Sequence, residues 1–280
     1  MTSQIDWDDA FDNGGYIAGA ADYPDRWATE AATFRDQMEA DGRLRADLPY
    51  GEGPRERLDL FAPEGASAGL VVFVHGGYWL RFDKSYWSHL SAGCVSRGWH
   101  VAMPSYPLAP EARIAEITRA VARAVASAAA EVAGPIRLAG HSAGGHLVSR
   151  MMCEGVLPAP VAERLAGVVS ISGLHQLDPL MATAMNDRLG LTQEEAAAES
   201  PAAQAPLAGV PLIAWVGAQE RPEFLRQTRL IEEVWGRRGA DVSAVYDPGR
   251  NHFTVVEPLI RPDSALTGAV LSGAAQPLPA

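Results

Sequence analysis

The chain has 280 residues, 48% of them hydrophobic, enough to bury one sizeable core. A formal net charge of −11 argues against a nucleic-acid or anionic-membrane partner. Residues 1–9 show neither the basic nor the apolar part of a signal peptide, and no apolar run reaches membrane-spanning length, so a cytoplasmic setting is expected.

Residues 1–45 are polar but carry Trp7, Phe11, Tyr16, Tyr23, Trp27 and Phe34, too many large aromatics for a disordered tail. Within them, Arg26–Met38 has the apolar stripe of a helix after Pro24, and the segment is expected to pack as a lid. Two strand candidates follow, Arg45–Tyr50 and Arg55–Phe61, joined by the hairpin-forming Gly51–Pro54. Leu70–His75 is a continuous apolar run, as in a strand buried on both faces. A helix over Lys84–Arg97 and a strand over Gly98–Met103 complete a βαβ unit. The two cysteines, Cys94 and Cys153, lie in apolar helical patterns and read as buried free thiols.

The Ala-rich helix Ile114–Val132 leads to a strand at Pro135–Ala139, then Gly140-His-Ser-Ala-Gly144, then a helix over Gly145–Met152. Further strands are expected at Gly167–Ser172, Val210–Val216 and Ala240–Tyr246, with a helix over Glu223–Arg238. The alternation predicts one domain over 1–280: a mostly parallel sheet of about eight strands with helices on both faces. The early antiparallel hairpin, the βα units and the serine turn fit an α/β-hydrolase. Residues 174–210 break the βα rhythm with short helical pieces at Met181–Leu189 and Thr192–Glu199; with the N-terminal segment they are expected to form a small cap.

Strand, G-x-S-x-G and helix together define a nucleophile elbow, which marks Ser142 as nucleophile. A serine hydroxyl needs a base within reach and a third group to orient that base. The expected chain order is serine, acid, histidine. His146 lies in the elbow helix and reads as structural, His175 comes too early, and His252 follows the last strand and is the expected base. Glu220, just after the Val210 strand, is the expected acid; Glu223, Asp247 and Asp178 are alternatives. The oxyanion hole calls for main-chain N–H groups, here Ala143 after the nucleophile, with Gly77 and Tyr78 of His75-Gly-Gly-Tyr-Trp79. Gly76 would shape that loop and His75 brace it. There is no H-E-x-x-H motif and no clustered ligand set, so neither a metal nor a cofactor is expected.

His75-Gly-Gly-Tyr-Trp79 with Asp83-Lys84, Gly140–Gly144 and Ser172-Gly-Leu-His-Gln-Leu-Asp-Pro-Leu180 together resemble the arylformamidase (kynurenine formamidase) branch of the α/β-hydrolases. Val216–Glu220, Pro222–Phe224, Arg226-Gln227 and Asn251-His-Phe253 look like that family's acid and histidine loops. The resemblance spans roughly residues 45–260; many relatives have Asp where this chain has Glu220. It implies Ser142, Glu220 and His252 as the triad and N-formylkynurenine as substrate, cleaved to kynurenine and formate. Trp79, Tyr78 and Tyr106 would offer aromatic faces to the ring and His175 would line the pocket. Arg81 and Arg250 are the candidates for the polar end. A carboxylesterase acting on small acyl esters is the competing reading, and a non-catalytic binding protein on the same scaffold a third. The expected partner is a small-molecule amide or ester; a homodimer is allowed.

Overall fold

The computed structural model describes residues 5–276 and 278. The first four residues of the expected lid, and Pro277, Pro279 and Ala280 at the end of the expected domain, lie outside that range. Eight strands form one sheet: β1 Leu44–Pro49, β2 Arg57–Phe61, β3 Leu70–Val74, β4 His100–Pro104, β5 Ile136–His141, β6 Leu165–Ile171, β7 Leu212–Gly217 and β8 Val242–Asp247. Their spatial order is β1-β2-β4-β3-β5-β6-β7-β8. The β1–β2 and β2–β4 pairs are antiparallel and the rest parallel, in agreement with the expected α/β-hydrolase fold.

The helices are α1 Trp7–Phe11, α2 Tyr23–Ala40, α3 Ala92–Ser96, α4 Ile114–Glu131, α5 Ala143–Met151, α6 Ala159–Ala162, α7 Asn186–Leu189, α8 Gln193–Glu199, α9 Pro222–Arg237 and α10 Ala265–Ser272. They cover both faces of the sheet, and β3 shows why its run is apolar throughout. Leu70, Val72 and Val74 enter a core shared with α4, α5 and α9. Val71 and Phe73 enter a second core, shared with α2, α3 and α10.

The helix expected over Lys84–Arg97 is broken instead into 3₁₀ turns at Lys84–Tyr86 and Ser88–Ser91, followed by α3. Two buried demands interrupt it. Lys84 Nζ lies 2.8 Å from buried Asp59 on β2 and 2.7 Å from Asp47. Trp87 leaves helical geometry, with φ −125°, and its ring centroid packs 4.7 Å from that of Trp27 on α2. Arg35 of α2 also pairs with Asp59, so α2 is tied to the sheet by both charge and aromatic packing.

Elements at the carboxyl ends of the parallel strands build the site. Phe11 of α1 is buried in the first core, 6.2 Å from Phe224 of α9 between ring centroids. Asp8 accepts a hydrogen bond from Ala184 N–H at 2.8 Å, so α1 meets the 174–210 segment above the sheet edge. Most of that segment packs at the side. Glu199 of α8 takes Arg150 Nε at 3.1 Å and the Thr118 hydroxyl at 2.6 Å.

Candidate active site

Ser142 stands at the turn between β5 and α5 with φ 56° and ψ −117°, outside the regions open to most L-residues. The flanking glycines are required by contact. A Cβ on Gly144 would lie 1.9 Å from the Val74 carbonyl oxygen, and one on Gly140 would lie 2.2 Å from that of Gly144. Ser142 N–H donates to the Ile171 carbonyl at 2.8 Å, so the turn is pinned to β6. Ala143 opens α5, whose N-terminus favours negative charge at this point.

Glu220 follows β7 and points its carboxylate back under the loop after β8. Oε2 accepts from His252 Nδ1 at 2.6 Å. Oε1 accepts from Gly217 N–H at 2.8 Å and from the Ser172 hydroxyl at 2.5 Å. The Glu220 side chain is fully buried and that of His252 nearly so. The bond through Nδ1 leaves Nε2 as the free nitrogen of the imidazole. His252 and Ser142 line the same cavity. Among the described residues no hydrogen bond joins Ser142 Oγ to His252 Nε2.

The His75–Trp79 loop packs directly on the elbow. A Cβ on Gly76 would stand 2.9 Å from the His141 carbonyl oxygen and 3.0 Å from Ser142 Cβ. Gly77, Tyr78 and Trp79 all have positive φ, at 113°, 52° and 58°. Among the described residues the N–H groups of Gly77, Tyr78 and Ala143 donate to no acceptor, as an anion-binding concavity requires. His75 braces the loop: Nδ1 donates to the Gly76 carbonyl at 2.7 Å, and burial pushes its pKa down to about 4.

The cavity holds about 530 Å³. Its walls include Phe11, Trp27, Tyr78, Phe82, Trp87 and Phe253 around Ser142 and His252. Asp12, Asn13 and Gly14 of the N-terminal segment also face it, and Met185 alone comes from the 174–210 segment. The two expected cap pieces therefore contribute unequally.

Of the four residues expected to contact substrate, Tyr78 lines the cavity and the other three are elsewhere. Trp79 is fully buried, with its ring edge-on to His146 at 5.0 Å, and so fastens the loop to α5. Tyr106 is fully buried; it stacks on His75 at 4.3 Å and donates its hydroxyl to the His75 carbonyl at 2.8 Å. His175 is fully buried, with Nδ1 donating to the Gln227 carbonyl at 3.0 Å and burial lowering its pKa to about 3. None of the three lines the cavity; each is fully enclosed by protein packing. Of the rejected bases, His146 donates from Nε2 to the Glu199 carbonyl at 2.8 Å, consistent with a structural part. Of the alternative acids, Glu223 pairs with Arg226 at 2.7 Å and Asp247 accepts from Trp215 Nε1 at 3.2 Å. Asp178 takes Gln193 at 2.8 Å.

Two contributors escaped the sequence reading. His141 donates from Nε2 to the His252 carbonyl at 2.9 Å and lies 4.7 Å from its ring, which fixes the loop that carries His252. Burial and the neighbouring His252 hold His141 well below the usual imidazole pKa. Ser172 holds the Glu220 carboxylate. His141 is the variable position of the elbow motif, and Ser172 ends the stretch expected as a strand; neither residue type announces its partner.

The model of the alpha/beta hydrolase family matches residues 71–278, and the chain belongs to that family. It is similar to the kynurenine formamidases of Salmo salar, 28% identical over 235 residues, and Danio rerio, 29% identical over 234 residues; in each case 80% of both chains is covered. A solved structure from Silicibacter sp. tm1040, provisionally named a thioesterase, is 50% identical with a TM-score of 0.90, covering 96% of this chain and 100% of that one. An esterase of Pyrobaculum calidifontis, 20% identical with a TM-score of 0.68 over 90% of this chain and 93% of that one, shares the fold.

Proposed function

We propose that this hydrolase cleaves a small acyl group from an aryl amide through an acyl-enzyme on Ser142, with N-formylkynurenine as the substrate that fits best. One observation carries the reading: a strained serine and an imidazole oriented by a buried carboxylate share one aromatic-walled cavity. Ser142 Oγ attacks the formyl carbonyl while His252 Nε2 takes the hydroxyl proton. Glu220 stays ionised, holds the tautomer and stabilises the imidazolium. The N–H groups of Gly77, Tyr78 and Ala143 receive the developing oxyanion. His252 then returns the proton to the aniline nitrogen as the carbon–nitrogen bond breaks. Water, deprotonated by the same nitrogen, releases formate and restores Ser142.

The aromatic walls suit an aryl leaving group, and the formamidases of two fishes cover four-fifths of the chain. The ester reading keeps the same residues and draws on the esterase and provisionally named thioesterase neighbours. Steady-state hydrolysis of N-formyl-L-kynurenine beside p-nitrophenyl acetate and a short acyl thioester separates them. The expected result is a kcat/KM for the formamide above roughly 10⁴ M⁻¹s⁻¹, within the ordinary enzyme range. Turnover of the ester or thioester alone would overturn the formamide and leave the triad in place. Binding without turnover of any of the three would favour the non-catalytic scaffold.

A further inference from the structure

We propose that Arg81 selects substrates that carry a carboxylate on the side away from the scissile bond. This rests on the site proposed above and extends it from a bond type to a charged substrate class. Three side chains with fixed charge line the cavity: Asp8, Asp12 and Arg81. The two carboxylates are engaged by the main chain, Asp8 by Ala184 N–H at 2.8 Å and Asp12 by Gly15 N–H at 3.0 Å. Arg81 is exposed and, among the described residues, has neither an ion-pair partner nor a hydrogen bond. By contrast, Arg250 lines a different cavity and pairs with Glu257 at 3.0 Å, and Arg221 pairs with Asp9.

Arg81 is also held in place. Its carbonyl oxygen would meet a Cβ on Gly77 at 2.4 Å, so its main chain rests on the loop that offers the oxyanion donors. Its guanidinium carbon sits 5.3 Å from the centroid of the Phe82 ring, another wall of the cavity. The guanidinium is permanently charged, and its fork of donors matches a carboxylate. A chain of net charge −11 repels anions at long range, so an unpaired cation at the cavity decides whether an anionic substrate can settle there. An aryl amide or ester with its carboxylate beyond the ring places the ring against the aromatic walls and the anion on Arg81.

The test measures affinity, so it does not depend on turnover. Two probe pairs are titrated calorimetrically into the Ser142→Ala protein. One pair is N-formyl-L-kynurenine and its methyl ester; the other is 3-(4-acetoxyphenyl)propanoate and its methyl ester. With Arg81 in place each acid is expected to bind about tenfold more tightly than its ester, the scale of one charge-assisted contact. Arg81→Gln should bring acid and ester level, Arg81→Lys should keep part of the preference, and Arg81→Glu should reverse it. Equal affinities with Arg81 present, a preference that survives Arg81→Gln, or binding of neither pair overturns the proposal. Turnover by protein with Ser142 intact isolates the formamide reading. If the formamides are untouched while the acid preference holds, N-formylkynurenine falls as substrate and the role of Arg81 stands.

Discussion

Ser142 and Ser172 both sit in left-handed backbone, at φ 56° and 50°, each at the end of a neighbouring parallel strand. Conformations of this kind cost on the order of 1–3 kcal/mol each and persist where the surroundings over-determine them. Ser142 is turned up into the cavity, while Ser172 is turned onto Glu220. In the proposed mechanism Ser172 is a positioning residue: its hydroxyl and Gly217 N–H are the two donors on Glu220 Oε1, and Oε2 is left to His252. Ser172→Ala is expected to lower kcat about tenfold with KM within roughly twofold, the loss of one charged-group hydrogen bond. Equal kcat in wild type and variant would contradict that part. The triad candidates could be read from residue type and chain order, because the elbow fixes where base and acid must follow. Ser172 could not, since its partner is 48 residues away and they meet only through the pairing of β6 with β7.

Among the elements, the loop after β3 links the Ser142 elbow to the N-terminal segment. Trp79 anchors it to α5, and the Tyr78 hydroxyl reaches the N-terminal segment, donating to the Phe11 carbonyl at 2.7 Å. Asn13 Nδ2 donates to the same hydroxyl at 3.4 Å. Phe11 in turn packs on Phe224, whose ring lies 4.4 Å from His252. The N-terminal segment thus touches both halves of the proposed catalytic apparatus. Tyr78→Phe keeps the ring and removes the latch. KM for the preferred substrate should rise about three- to tenfold, and proteolysis within residues 5–22 should quicken; a KM and a cleavage rate equal to wild type would refute the latch. Here the sequence was only partly legible. Aromatic residues after the H-G-G motif suggested pocket walls; Tyr78 is one, but Trp79 is fully buried against His146, and the other walls come from Phe82, Trp87, Phe253 and the N-terminal segment. The broken helix over 84–97 was hidden for a similar reason: Lys84 and Trp87 meet tertiary partners that local periodicity does not register.

For the whole molecule, the mostly parallel sheet of about eight strands with helices on both faces was legible, because strand patterning and the elbow constrain an α/β-hydrolase strongly; the strand order and the division into two cores were not read. Less legible was the number of histidines used as neutral packing. Burial lowers His75 and His89 to about 4, and His146 and His175 to about 3. The unfolded chain binds protons at these rings below about pH 6.5, while the folded protein resists doing so until much lower pH. Their contribution to stability is therefore complete above pH 6.5 and is lost as pH falls toward 4–3. Each ring removes up to about 1.4 kcal/mol per pH unit in that window. Thermal unfolding should accordingly show Tm dropping steeply between pH 6.5 and 4.5, with uptake of several protons on unfolding near pH 5. A Tm flat over that range would contradict the neutral assignment.

The proposed chemistry needs Ser142 as the nucleophile and His252 as its base. Labelling with a serine-directed fluorophosphonate, followed by mass spectrometry of the digested protein, probes both roles at once. A single adduct is expected on the peptide that contains Ser142, none in Ser142→Ala, and labelling slowed at least a hundredfold in His252→Gln, the scale of general-base catalysis. A label on another residue, or full labelling in His252→Gln, would contradict it.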